Sequence, residues 1–132
     1  MIDFKKYLGL SYDINNEFGV NCWGLYKLVQ KNELGNDVIS FKAINSSVRA
    51  ISDKFRAEIK LSRHGHEQVK NPVDFDLVVM TKRSGRVIAY HCGIYIGGDV
   101  MHAKGDGQTG QVWRESLRSL QKEWRTEFWR YV

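Results

Sequence analysis

The chain has 132 residues, of which 42% are hydrophobic and 27% are charged, which are the proportions of a soluble globular protein. This length suits one domain over residues 1–132, able to bury about two-thirds of its unfolded surface without disulfides or metal ions. The net charge of +5 comes from basic residues spread in ones and twos, so a nucleic-acid-binding surface is not expected.

The N-terminal segment MIDFKKYLGLSYD has neither the basic start nor the apolar run of a signal peptide. No stretch of the sequence approaches the roughly 18 apolar residues of a membrane span, so no membrane-spanning segment is expected. We therefore expect synthesis in the cytoplasm. Two cysteines are too few for a disulfide framework, and both are expected to be reduced.

The first third of the chain predicts a short helix over residues 2–8, an Asn-rich loop over 13–18, and an amphipathic helix from Cys22 to about Asn32. Gly35 is a suitable C-terminal stop for this helix. Cys22 then lies at the helix N-terminus, where unpaired N–H groups and the macrodipole favour a thiolate. The alternative is that Cys22 is a small buried hydrophobic residue.

The middle third predicts a second helix over residues 44–59, because apolar residues recur there at steps of three and four. His64 and His66 follow and raise the possibility of a metal site. No second pair of ligands stands at suitable spacing nearby, so an exposed loop is expected instead.

From Asp76 onward the hydrophobic period changes from that of a helix to that of strands. Strands are predicted over 77–80, 87–96, 100–103, 111–113 and 128–132, with a short helix over 117–123. Helices that precede an antiparallel sheet are typical of an α+β fold. The expected architecture is an N-terminal helix packed on a sheet of about five strands.

His91 and His102 flank the predicted turn at Gly97–Asp99. A two-residue loop at either position in this turn would place the two histidines on one face, within about 7 to 8 Å at Cα. A three-residue loop would place them on opposite faces. Alternation along the strand puts Cys92 in the core with Ile94 and Ile96.

A cysteine at a helix start, a histidine on a strand and a second polar group that orients the histidine form a cysteine nucleophile system. Gly93 leaves the His91 face open for the approach of a helix end. By spacing alone, one core histidine and one surface histidine is an equally good interpretation. A zinc site built from Cys22, His91 and His102 is a weaker alternative.

Four segments resemble, in order, the signature segments of the NlpC/P60 cell-wall peptidases. They are Asn21-Cys22-Trp23-Gly24-Leu25, Asp74-Phe75-Asp76-Leu77-Val78-Val79, His91-Cys92-Gly93-Ile94-Tyr95-Ile96-Gly97 and Met101-His102-Ala103. The variant Cys22-Trp23-Gly24-Leu25 looks most like members that tailed phages encode as tail-tip proteins.

The resemblance implies a papain-like α+β core with Cys22 as nucleophile, His91 as general base and His102 as the residue that orients His91. Tyr12 matches a family tyrosine whose hydroxyl assists the oxyanion site, together with the Cys22 backbone N–H. The implied substrate is the peptidoglycan stem peptide, cut between D-glutamate and the diamino acid. No metal or other cofactor is expected.

Without a secretion signal, the protein needs another route to the cell wall. A phage tail supplies one, with other tail-tip proteins as partners and the bacterial periplasm or cell wall as the place of action. Asn21 stands where the family usually has aspartate, which motivates an alternative: a tail-tip assembly protein that does not use its chemistry. A related Cys-His amidase or acyltransferase is a third possibility.

Overall fold

A computed structural model describes residues 4–11, 22–38, 65–82, 90–105 and 110–132. A 3-10 helix at Phe4–Lys6 precedes the first α-helix. The remaining elements, in chain order, are α1 (Cys22–Leu34), β1 (His66–Val69), β2 (Leu77–Lys82), β3 (Tyr90–Ile96), β4 (Asp99–Gly105), β5 (Gly110–Ser116), α2 (Leu117–Leu120) and β6 (Trp124–Tyr131).

The described strands form one six-stranded sheet in the order β1-β6-β2-β3-β4-β5. Every neighbouring pair is antiparallel. The structure is therefore α+β, with a helix packed on an antiparallel sheet as predicted, but with one strand more than the expected five. The second predicted helix, over 44–59, lies outside the described residues.

The additional strand is β1, which pairs with the last strand, β6. Its sequence, HEQV, has little of the β-branched and aromatic character that marks a strand. The prediction of an exposed loop here is wrong at His66, which is 3% exposed. Pairing with a strand more than 50 residues away in sequence stabilises β1, and local propensity does not reveal such pairing.

The buried face of α1 follows helical spacing and includes Cys22, Leu25, Tyr26 and Val29. The helix ends at Leu34, two residues beyond the predicted end. Gly35 has a φ of +70°, and its N–H donates to the Lys31 carbonyl at 3.1 Å. This is the left-handed C-terminal cap that glycine favours, so the predicted stop is confirmed.

Both faces of the central strand β2 are covered, and Leu77–Met80 are all buried. Leu77 and Val79 pack with the α1 side chains on one face. Val78 and Met80 pack on the other face with Leu120 and with the rings of β6. A strand covered on both faces has a continuous apolar run, which explains why this strand shows no alternation.

The β3–β4 hairpin turns at Gly97 and Gly98, whose φ angles are +54° and +91°. Two successive positive φ values are typical of a type I′ turn, which matches the twist of the flanking strands. Ile96 pairs with Asp99 and Ile94 with Met101. The loop therefore has two residues, and His91 and His102 lie on the same face of the sheet.

Gly93 sits in the most crowded part of this hairpin. A Cβ atom here would lie 2.5 Å from Val100 Cγ1, 2.9 Å from the Met101 carbonyl oxygen and 3.1 Å from His102 Cβ. The expectation that Gly93 makes room for a helix end is wrong. Glycine instead lets β4, including His102, approach β3.

Among the described residues, no helix is both long and apolar enough to cross a lipid bilayer.

We predict that Gly93→Ala destabilises the fold by about 1 to 3 kcal/mol, the usual cost of overpacking a filled interior. The added methyl group must displace the Val100 side chain and the Met101 carbonyl. Urea unfolding followed by tryptophan fluorescence measures the effect. An unchanged denaturation midpoint would contradict the tight packing of this hairpin.

Candidate active site

Cys22 is the first residue of α1 and is 3% exposed. It belongs to the buried cluster that contains Cys92, Ile94 and Ile96. Cys92 is therefore a core residue, as predicted. The expectation that the helix start meets the His91 face, away from Cys92, is wrong, because α1 packs on the face that carries Cys92.

Cys92 also has a role that the sequence did not predict, because it contacts the candidate nucleophile. The pKa of the Cys22 thiol is well below its ordinary value, and hydrogen bonding with Cys92 is the largest cause. Burial opposes this decrease, while hydrogen bonding with His91 and the charge of its imidazole add to it. Burial and the neighbouring Cys22 raise the pKa of the Cys92 thiol. These opposite shifts make Cys92 the better hydrogen-bond donor of the pair and Cys22 the better acceptor.

Both cysteines are free. The position of Cys22 at the start of a 13-residue helix adds a further preference for negative charge, since the N-terminal N–H groups carry partial positive charge. Three features of the described structure therefore favour the thiolate: the Cys92 thiol, the His91 imidazole and the helix terminus.

The His91 and His102 rings lie edge to face, with centroids 5.1 Å apart and planes at 77°. His91 Nε2 and His102 Nδ1 are 2.9 Å apart, within hydrogen-bonding distance. His102 is 3% exposed, so its ring is fixed by its surroundings. The structure thus brings His91 and His102 into direct contact, and His91 also forms a hydrogen bond with Cys22.

Two further residues contact the histidine pair and were not predicted from the sequence. Glu115 Oε1 lies 3.2 Å from His102 Nε2. On the other side, the ring centroids of Trp124 and His91 are 5.9 Å apart. The predicted strand over 111–113 ended at Trp113, and extending its alternation by two residues would have placed Glu115 on the same face as Trp113.

Tyr12, the expected oxyanion donor, and Asn21, which stands where the family usually has aspartate, lie outside the described residues. His64 lies outside them as well. Within the part of the chain that is described, no group of three or more His, Cys, Asp or Glu side chains is arranged to hold a metal ion.

His66 lies in a buried cluster of aromatic side chains. Its Nε2 is 2.7 Å from the Tyr26 hydroxyl. Its ring packs between those of Trp23 and Tyr131, with centroid distances of 6.2 Å and 5.3 Å. Burial is the main cause of the raised pKa of Tyr26, so its hydroxyl stays protonated. This cluster attaches α1 to the edge strand β1.

No protein-family model matches the chain, and no curated protein is significantly similar to it. The resemblance of the four segments to the NlpC/P60 peptidases stays a prediction.

We predict that Cys92→Ala moves the pH profile of Cys22 alkylation to higher pH, because the largest cause of the lowered thiol pKa is removed. The rate of modification by iodoacetamide, measured site by site with mass spectrometry over a pH series, gives this pKa. Cys92→Ser is the matched control, since its hydroxyl retains a donor at the same place. Identical profiles for wild type and Cys92→Ala would contradict the assigned contact.

Proposed function

We propose that the protein is a cysteine peptidase with Cys22 as nucleophile, His91 as general base and His102 as the residue that orients His91. The observation that carries the proposal is the convergence of a thiol of lowered pKa with a hydrogen-bonded histidine pair. A low thiol pKa together with a base held by a third group is the arrangement that nucleophilic cysteine catalysis requires.

In the first half of the reaction, His91 holds the proton of the Cys22 thiol and the thiolate attacks the carbonyl carbon of the scissile amide. The Cys22 backbone N–H, at the start of α1, donates to the developing oxyanion, and Tyr12 is the proposed second donor. The His91 imidazolium then protonates the amide nitrogen. The carbon–nitrogen bond breaks, and the amine leaves an acyl group on Cys22 as a thioester.

In the second half, His91 is neutral again and takes a proton from a water molecule. The hydroxide attacks the thioester carbonyl, the carbon–sulfur bond breaks and the sulfur departs as the thiolate, while the proton taken from water stays on His91 and restores the starting pair. The products are one carboxylic acid and one amine for each water consumed. His102 keeps the His91 ring in position through both halves.

We propose the stem peptide of peptidoglycan as substrate, with cleavage between D-glutamate and the diamino acid. The ordered resemblance of four segments to the NlpC/P60 peptidases supports this choice, together with the packing of α1 on an antiparallel sheet. The net charge of +5 suits an anionic cell wall. A phage tail tip, acting in the periplasm or cell wall, is the proposed setting.

We predict that the purified protein releases new amino groups from muropeptides and that Cys22→Ala abolishes the release. His91→Gln is expected to lower kcat by at least about 10³-fold, because the base and the nucleophile act as a unit. Amine labelling and mass spectrometry of the products measure both effects. Equal release by wild type and Cys22→Ala would overturn the peptidase proposal.

One observation favours a second candidate, a tail-tip assembly protein in which the chemistry is not used. Cys22 is only 3% exposed, so a substrate carbonyl needs access that the surroundings restrict. For this candidate, Cys22 resists iodoacetamide at neutral pH in the folded protein, and phage carrying Cys22→Ser assemble and infect normally. Rapid alkylation together with loss of infectivity in Cys22→Ser would exclude it.

A further inference from the structure

Glu115 lies on β5, two strands away from His91, in a diagonal position relative to His102. The β4–β5 register pairs His102 with Trp113 and Val100 with Glu115. Residues diagonal across such a pair lie on the same face and within reach of a long side chain. The carboxylate thereby continues the line of side chains from His91 through His102 to the edge of the sheet.

The end of β5 that carries Glu115 is held in place on both sides. Arg114 Nε donates to Asp99 Oδ2 at 2.8 Å. The Leu117 N–H donates to the Gly98 carbonyl at 3.1 Å. Glu115 lies between these two contacts, so its backbone is attached to the same hairpin turn that positions both histidines.

The carboxylate of Glu115 determines which nitrogen is the donor in each hydrogen bond of the series His91–His102–Glu115. An ionised carboxylate can only accept, so at 3.2 Å His102 Nε2 must be the donor to Glu115. A neutral imidazole that carries its proton on Nε2 has a lone pair on Nδ1. With His102 neutral, His91 Nε2, which lies 2.9 Å from His102 Nδ1, must therefore be the donor in the hydrogen bond between the two rings.

This assignment is the same whether His91 is neutral or an imidazolium, because its Nε2–H donates to His102 in both forms. What changes is the other nitrogen, Nδ1, which is free to accept or return the proton of Cys22. The opposite tautomer of His102 would direct a lone pair at the carboxylate from a side chain that is only 4% exposed. Water has little access to His102 to compensate for that repulsion.

We propose that Glu115 is a positioning residue that fixes the tautomer of His102 and, through it, directs the basic nitrogen of His91 toward Cys22. The role in catalysis rests on the proposed peptidase function, whereas the tautomer assignment stands by itself. Glu115 contacts neither the nucleophile nor the acyl group in this scheme and acts only through His102.

The test is the protonation of the imidazole nitrogens, read from proton–nitrogen correlation spectra of the ¹⁵N-labelled protein. In the wild type we expect a proton on Nε2 of both histidines and a lone pair on His102 Nδ1. In Glu115→Ala the two tautomers of His102 should mix, and its two nitrogen shifts should approach each other. A wild-type proton on His102 Nδ1, or an unchanged pattern in Glu115→Ala, would overturn the proposal.

Glu115→Gln is the conservative variant, because its amide oxygen can still accept from His102 Nε2; it should retain the wild-type pattern. Glu67→Ala, at an exposed position on β1, controls for the loss of one negative charge. Thermal unfolding of each variant shows whether the fold is intact. A merely structural role for Glu115 would change the unfolding temperature in Glu115→Ala without mixing the tautomers.

Muropeptide hydrolysis separates this inference from the proposed function. With an active peptidase, Glu115→Ala should lower kcat by about 10-fold, in the range usual for an outer hydrogen-bond partner, and Glu115→Gln should recover most of the loss. If the wild type cleaves nothing but the tautomers depend on Glu115, the peptidase proposal fails and the tautomer assignment stands. If hydrolysis is normal in Glu115→Ala, the proposed role of Glu115 in catalysis fails.

Discussion

The register of the β3–β4 hairpin is the constraint on which the candidate site depends. Side chains alternate between the faces of a strand, so a shift of one residue would separate His91 from His102. The Gly97–Gly98 turn fixes this register, and the side chain of Asp74 accepts a hydrogen bond from the Gly97 N–H at 2.8 Å. Gly93 then allows the two strands to approach closely enough for the histidine rings to bond.

The site also combines residues from the two faces of the sheet. The helix that carries Cys22 packs on the Cys92 face, while His91 pairs with Met80 on the opposite face. Adjacent residues of one strand, Cys92 and His91, therefore reach the same thiol from different directions. Both lower its pKa. Burial alone would raise the pKa of this thiol, so the hydrogen bonds from these neighbours are what lower it.

Beyond the nucleophile, polar side chains extend from β3 through β4 to β5, one from each strand. Such a line inside a folded protein is stable only when donors and acceptors alternate along it. Hydrogen bonds to a buried carboxylate also connect other parts of the sheet. Asp76, only 2% exposed, accepts two hydrogen bonds at 2.9 Å from Arg130 of β6 and one from the Val73 N–H at 2.8 Å. The loop before β2 is thus attached to the last strand.

The sequence alone determined the α+β class and the helix from Cys22 to near Gly35, because helical spacing and glycine stops are local properties. It left the shared face of His91 and His102 conditional on a two-residue loop, which the structure supplies at Gly97 and Gly98. It did not determine β1, whose polar residues form a strand only through pairing with β6. Nor did it place Glu115, because the predicted strand over 111–113 ended two residues too early and the β4–β5 register was not predicted. The face on which α1 packs was decided by burial of its apolar side against the sheet, which brought Cys22 to Cys92. Contacts between residues far apart in sequence are fixed only when the whole core packs.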